Sequence, residues 1–401
     1  MDIYHWLSDQ TSAMTDLTLA WAAQNSGSTN THGLTAMAGP IVEAFTTLPV
    51  AYTQLAAAPV TAIDDLGREG PAQLGPVHRF TCRPDAPRRV ILTGHLDTVY
   101  PADHPFQSCT WLDEDTVSGP GVADMKGGLV VMLYALKALE RSDLADKPGW
   151  DVLISSDEEI GSLGSAPHLA EAAKAGQIGL TYEPSLPDGA LAGARKGSGN
   201  FTLVVTGRAA HAGREFASGR SAVVALAEAV LALHRLNGQR DGVTINTAIL
   251  RGGTAPNIVP DHALCRFNIR VVTAEDRDWA QDALDRIVAD LNRKDGIAGQ
   301  LHGGFNRPPK PLSAANRRLM EAIAACGRDL GLAIDYRDTG GVCEGNNLAA
   351  AGLPNVDTLG VRGAQIHSPE EYMIVSSLPE RAALSYAVLH AFGSGRFDAW
   401  L

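Results

Sequence analysis

Arg89-Val90-Ile91-Leu92-Thr93-Gly94-His95-Leu96-Asp97-Thr98-Val99 is the stretch from which the fold class follows. Its first half is a short apolar run with no alternation, the pattern of a strand covered on both faces. Its second half places a histidine and an aspartate two residues apart where that strand ends. Strand period sends His95 and Asp97 to the same side. In open α/β sheets, ligands bind beyond the carboxyl ends of the strands. The plain alternative is a satisfied polar pair at a strand end.

The flanking sequence extends this pattern. Residues 2–25 carry apolar positions at helical spacing and end at Asn25-Ser26-Gly27-Ser28, which predicts a helix and a turn. Leu34 to Thr46 predicts a second helix and Lys126 to Glu140 a third, opened by Gly127 and Gly128. Asp151 to Ser156 is another buried strand. Helices alternating with short apolar strands predict an α/β unit with helices on both sheet faces. Near Lys196 the texture changes. Asn200 to Gly207 alternates polar and apolar, as a half-exposed strand does. A helix (Ala222 to Leu236), two strand-like runs (Val243 to Leu250, His262 to Val272) and a helix (Asp276 to Leu291) follow. This β-α-β-β-α pattern is an α+β module inserted into the first unit. The α/β texture resumes after Pro308, with a helix (Ala314 to Leu330), a short strand (Asn355 to Leu359) and a last helix (Leu378 to Phe392). The expected segments are 1–196, 197–307 and 308–401.

The chain has 401 residues, 45% hydrophobic and 19% charged, enough for two domains with large cores. Its net charge of −12 argues against nucleic acid or an anionic membrane as partner, since both need a basic face. The five cysteines are scattered and form no CxxC, which predicts neither a disulfide framework nor a structural zinc site. The opening MDIYHWLSDQ lacks the basic and apolar regions of a signal peptide. No apolar run reaches the roughly 18 residues of a membrane span. A cytoplasmic location is expected.

Four further strings carry chemistry. Asp124 lies in Gly119-Pro120-Gly121-Val122-Ala123-Asp124-Met125-Lys126, between a glycine-rich loop and a helix, where an ordinary N-cap would also sit. Glu158 and Glu159 follow a buried strand; one acid of such a pair can bind metal while the other stays free as a base. Glu183 stands before Pro184. His367 lies in Gln365-Ile366-His367-Ser368-Pro369-Glu370. Mixed nitrogen and oxygen donors of this kind suit zinc, manganese or cobalt. A carboxylate able to bridge suits a two-metal site.

These strings, in this order, resemble the metallopeptidase family that includes aminoacylases, acetylornithine deacetylase, succinyl-diaminopimelate desuccinylase and bacterial glutamate carboxypeptidase. The resemblance covers nearly the whole chain. It implies a mixed-sheet α/β catalytic domain with an inserted α+β dimerisation or lid domain, and a cis peptide after Asp124. It implies two divalent ions, zinc first, with manganese or cobalt as alternatives. His95 and Glu183 would bind one ion, Glu159 and His367 the other, and Asp124 both. Glu158 would be the general base and Asp97 the acid that orients His95. Ala210-His211-Ala212-Gly213 matches a string whose histidine reaches across a dimer interface to the oxyanion. Asn257 matches a substrate-facing residue of a lid loop. Arg307 and Arg270 match positions that can bind a substrate carboxylate, a task suited to a guanidinium fork; a surface ion pair is the alternative for each. Glu183, rather than Asp, favours carboxypeptidases and acylases over aminopeptidases. The expected reaction is release of an amino acid such as glutamate from an N-acyl amino acid or small peptide by a homodimer. The alternatives are a deacetylase or aminoacylase, a dipeptidase, or a catalytically silent metal-binding relative. One string departs from the family: Cys343-Glu344 stands where Ser or Thr followed by Asp is common. A thiol nucleophile is not expected there, because no histidine or asparagine string of a cysteine hydrolase accompanies Cys343.

Overall fold

A computed structural model describes residues 2–400 of the chain. Met1 and Leu401, the outer ends of the expected segments, lie outside the described residues. A six-stranded mixed sheet forms the first layer system. Its strands are β1 (Ala51–Leu55), β2 (Val77–Cys82), β3 (Arg89–His95), β4 (Gly149–Ser155), β5 (Ile178–Thr181) and the short β10 (Asn355–Val356). Their order is β1-β2-β4-β3-β5-β10. β1, β2 and β4 pair antiparallel, while β4, β3, β5 and β10 pair parallel. The central run of the opening stretch is buried on both faces, and period two explains how. Val90 and Leu92 enter the larger core with α1 (Ile3–Asp9), α2 (Thr11–Ala22), α3 (Thr31–Phe45), α4 (Gly127–Leu139), α8 (Ala314–Asp329) and α10 (Ser377–Gly393). Ile91 faces the other way, onto α5 (Ala166–Ala173) and α9 (Glu344–Ala350). Each such aliphatic side chain contributes roughly 1.5–3 kcal/mol by leaving water.

The expected single helix over 2–25 is two helices, because the chain breaks at Gln10. The second sheet is wholly antiparallel, in the order β7-β8-β6-β9. It comprises β6 (Gly197–Thr206), β7 (Thr244–Gly252), β8 (His262–Val271) and β9 (Ala298–Arg307). β9 was not expected; its glycines and polar residues (AGQLHGGFNR) hide the strand pattern. α6 (Ala222–His234) and α7 (Ala274–Asn292) cover one face, where Phe201, Leu203 and Val205 alternate inward. The chain enters and leaves this module side by side: Arg195 and Lys310 exchange two backbone hydrogen bonds, each 3.0 Å.

Candidate dinuclear metal site

Five chain segments converge at the carboxyl ends of β3, β4 and β5. His95 is the last residue of β3 and is buried. Its Nδ1 lies 2.9 Å from the Asp97 carbonyl oxygen and 3.4 Å from the Asp97 carboxylate. A hydrogen on Nδ1 directed at that carbonyl leaves the Nε2 lone pair facing the site. The expected orienting role of Asp97 is thus shared with its own backbone. Its carboxylate also accepts from the Glu158 and Glu159 amides, both at 3.1 Å, and from the Ser28 hydroxyl at 2.7 Å. Asp97 therefore ties the β3 exit to the β4 exit.

Asp124 is not a helix N-cap. It sits in a kinked turn, Val122–Lys126, that precedes α4, and the Asp124–Met125 peptide is cis. Its Oδ1 lies 3.2 Å from His95 Nε2 and its Oδ2 lies 3.2 Å from His367 Nε2. Each histidine has one further acid. Glu183 Oε1 lies 3.6 Å from His95 Nε2, and Glu159 Oε2 lies 3.1 Å from His367 Nε2. His367 comes from a half-exposed loop and takes a left-handed backbone (φ 64°), as does Gln365 (φ 57°). For a residue with a Cβ that conformation costs on the order of 1 kcal/mol. It turns the imidazole over Asp124.

The electrostatics describe a site short of positive charge. Burial, then the neighbouring Asp124, pushes the Glu159 carboxyl well above its ordinary range and the Glu183 carboxyl up to about 7. Burial pulls the His95 imidazolium down, but its hydrogen bonds to the Asp124, Asp97 and Glu183 carboxylates outweigh burial and raise it well above normal. Hydrogen bonds to Asp124 and Glu159 raise His367 to about 11. Three acids crowded around two imidazoles are relieved by cations, and the donors match those that bind zinc, manganese or cobalt. His95, Asp124 and Glu159 form one cluster able to hold an ion; His95, Glu183 and Glu158 form another.

Glu158, however, is already engaged. Arg307 Nη2 lies 2.7 Å from Glu158 Oε1 and also donates to the Glu158 carbonyl (2.8 Å) and the Ser162 hydroxyl (3.0 Å). Arg307 is therefore a buried residue gripping Glu158, not a surface ion pair, and one edge of its fork is free. That edge, Nη1, is buried without a partner among the described residues. Among the described residues Arg270 makes no ion pair; its Nε donates to Asn268 at 3.0 Å and its Nη1 is likewise unpartnered there. Both arginines line the same cleft of about 840 Å³ as Asp124, Glu158, Glu159, Glu183 and His367. His211 and Asn257 do not line it. They are exposed, and the Ala212 amide donates to the Asn257 carbonyl (3.0 Å), so the two travel together on the second module.

Glu371 is a site residue that the sequence did not single out. It is buried, and its carboxylate accepts from the amides of Ala123 and Asp124 (both 3.0 Å), the Gly121 amide (3.2 Å) and the Tyr100 hydroxyl (2.8 Å). It fixes the turn that aims Asp124. Its place, four residues after His367, was its only sequence signal. Cys343 caps α9 and is buried, and burial raises its thiol well above normal, which suits an inert core position. Glu344 is fully buried, and burial lifts its carboxyl to about 8 despite the Ser155 hydroxyl bonded to it.

Comparison with known proteins identifies the family of the chain. The sequence profile of peptidase family M20/M25/M40 matches residues 91–391. Carboxypeptidase G2 from Pseudomonas sp. (strain RS-16) is 30% identical over 317 residues, covering 77% of this chain and 75% of that protein. An M20-family metallo-carboxypeptidase from Sulfolobus solfataricus superposes with a TM-score of 0.73 at 15% identity, over 95% of this chain and 99% of that one. A dinuclear metal-binding peptidase of the same family from Bacillus subtilis gives a TM-score of 0.64 at 13% identity, over 95% and 98%. With the profile match spanning most of its length, the chain belongs to peptidase family M20/M25/M40.

Proposed function

We propose that this enzyme is a dinuclear metal-dependent amide hydrolase that releases a C-terminal amino acid, such as glutamate, from an N-acyl amino acid or small peptide. The observation that carries this reading is Asp124, whose two carboxylate oxygens face two different histidines, each with an acid of its own. His95 and Glu183 would hold one ion, His367 and Glu159 the other, and Asp124 both; zinc is the expected metal, with manganese or cobalt as substitutes. When bound, such ions supply Lewis acidity and make a water molecule a stronger acid. Glu158 accepts a proton from water as its oxygen attacks the amide carbon, then passes the proton to the leaving nitrogen as the C–N bond breaks. Arg307 positions Glu158 and offers its free Nη1 to the carboxylate of the leaving amino acid, with Arg270 beside it.

The segments 1–196 and 308–401 form the catalytic unit in this reading, and 197–307 is a lid that dimerises. Support for a homodimer comes from α6 and β7. α6 presents Val223, Val224 and Leu231 to solvent, and the neighbouring edge strand β7 presents Leu250. His211 and Asn257 would complete the partner's site, or their own on closure, with His211 donating to the oxyanion. A cytoplasmic setting is proposed from five free thiols. A deacetylase, aminoacylase or dipeptidase would use the same centre. A catalytically silent relative is disfavoured by the presence of every donor and of Glu158.

Glu158→Gln tests the assignment. The variant should bind two metals per chain yet lose about 10²–10⁴-fold in turnover. Wild-type rates in that variant would refute the role of Glu158.

A further inference from the structure

The cleft has two unlike walls. The wall formed by the second sheet is polar. Asn246, Asn268 and Asn200 stand in one register row across β7, β8 and β6, and Arg270 pairs with Ser198 in the next. Another part of the cleft rim carries Leu186 and Ile366, large apolar side chains that are 41% and 39% exposed. They are not isolated. The segments that bear them run side by side: Ser185 N–H donates to the Val361 carbonyl (2.9 Å), Gly360 N–H to the Glu183 carbonyl (2.9 Å) and Gly363 N–H to the Ser185 carbonyl (3.3 Å). These same segments deliver Glu183 and His367. Pro184 and Val99 add apolar surface to the same cleft. Of the other charged groups lining the cleft, Arg337 is neutralised by Asp188 and Arg195 by Asp357, while Asp338 accepts from the Ala194 amide.

A single exposed Leu needs no explanation. Two at the mouth of a cleft, each within three residues of a proposed metal ligand, form a surface that a bound group would cover. We infer that this rim is the acyl subsite and that it selects a bulky apolar acyl group, aromatic or branched aliphatic. This inference rests on the proposed amide hydrolysis. With the leaving carboxylate at Arg307 on the polar wall, the scissile amide lies over Asp124 and the acyl group extends to Leu186 and Ile366. A small acetyl group leaves the rim wet. A succinyl group strands its carboxylate on apolar surface.

The test uses the metal-loaded enzyme and one leaving amino acid carrying acetyl, succinyl, 3-methylbutanoyl or benzoyl groups. The 3-methylbutanoyl and benzoyl substrates should exceed acetyl and succinyl in kcat/KM by at least about tenfold. Leu186→Ser and Ile366→Ser should each shrink the benzoyl-to-acetyl ratio by about tenfold. Both side chains are exposed, so both variants should fold. Calorimetric binding of the N-benzoyl and N-acetyl compounds to metal-loaded Glu158→Gln gives the same ranking without turnover. Equal rates for acetyl and benzoyl, or a ratio unmoved in both variants, overturns the subsite. Absence of turnover across the series with metals bound overturns the amide-hydrolase reading itself, and binding to Glu158→Gln then separates the two: a benzoyl preference there preserves the apolar subsite, and its absence removes it.

Discussion

Glu371 shows how a residue that touches no reacting atom can set the geometry of one that does. Its carboxylate collects three consecutive-turn amides and a tyrosine hydroxyl. Glu371→Gln swaps one acceptor oxygen for a donor facing those N–H groups, so the Asp124 turn should loosen. Metal affinity measured by calorimetry should fall about 10–100-fold, as for other supports behind a ligand. Asp357 makes a second residue-scale case. Burial raises its carboxyl, but Arg195 and Lys310, each 2.8 Å away, outweigh burial and lower it to about 2. A carboxyl lowered on folding stabilises above its unfolded pKa and loses that contribution as pH falls through the folded value. Stability should therefore drop by about 2 kcal/mol through this one group between about pH 5 and pH 2. In denaturant titrations, the gap between wild type and Asp357→Asn should narrow over the same range. The strand-exit position of His95 and the tandem acids after β4 were legible because buried strands announce themselves and their ends are where such folds bind ligands. The grip of Arg307 on Glu158 was not, since the two lie 149 residues apart and only the packing of β9 against the β4 exit brings them together.

At the scale of elements, the start of α4 is the tightest fit near the site. A Cβ on Gly128 would stand 2.0 Å from the Tyr182 carbonyl oxygen, next to Glu183. Both partners are backbone or tightly packed, so nothing flexible can yield. Gly128→Ala should cost about 1–3 kcal/mol, read as a lowered unfolding midpoint, and should weaken metal binding by displacing Glu183. The glycine pair was visible in the sequence as a helix opening, but its purpose was not, because the obstacle comes from a distant strand. The same limit explains β9: glycine and asparagine weaken the period-two signal, and pairing with β6 supplies what local preference lacks.

The whole molecule poses the question of where His211 acts. It is exposed and outside the cleft, on a module with an apolar outer helix. If it serves the partner's site, co-expressed Glu158→Gln and His211→Ala chains should regain part of the activity that each lacks alone, because the mixed dimer holds one intact site. No regain, with dimers verified by light scattering, would place His211 in its own cleft after closure. Introducing charge at the proposed interface, as in Leu231→Glu, should yield monomers with low turnover and intact metal binding.

The side-by-side passage of the chain at Arg195 and Lys310 has a consequence for biosynthesis. α10 packs on α4, and β10 completes the edge of the first sheet, yet both are made after the whole second module. Nearly every side chain of α4 is apolar and finally enclosed. While the ribosome is still producing residues 197–307, that helix lacks its cover. The second module, with a core of its own, can mature during this interval. The first unit waits for the last ninety or so residues, and until they emerge it is the part of the nascent chain that a chaperone would shelter.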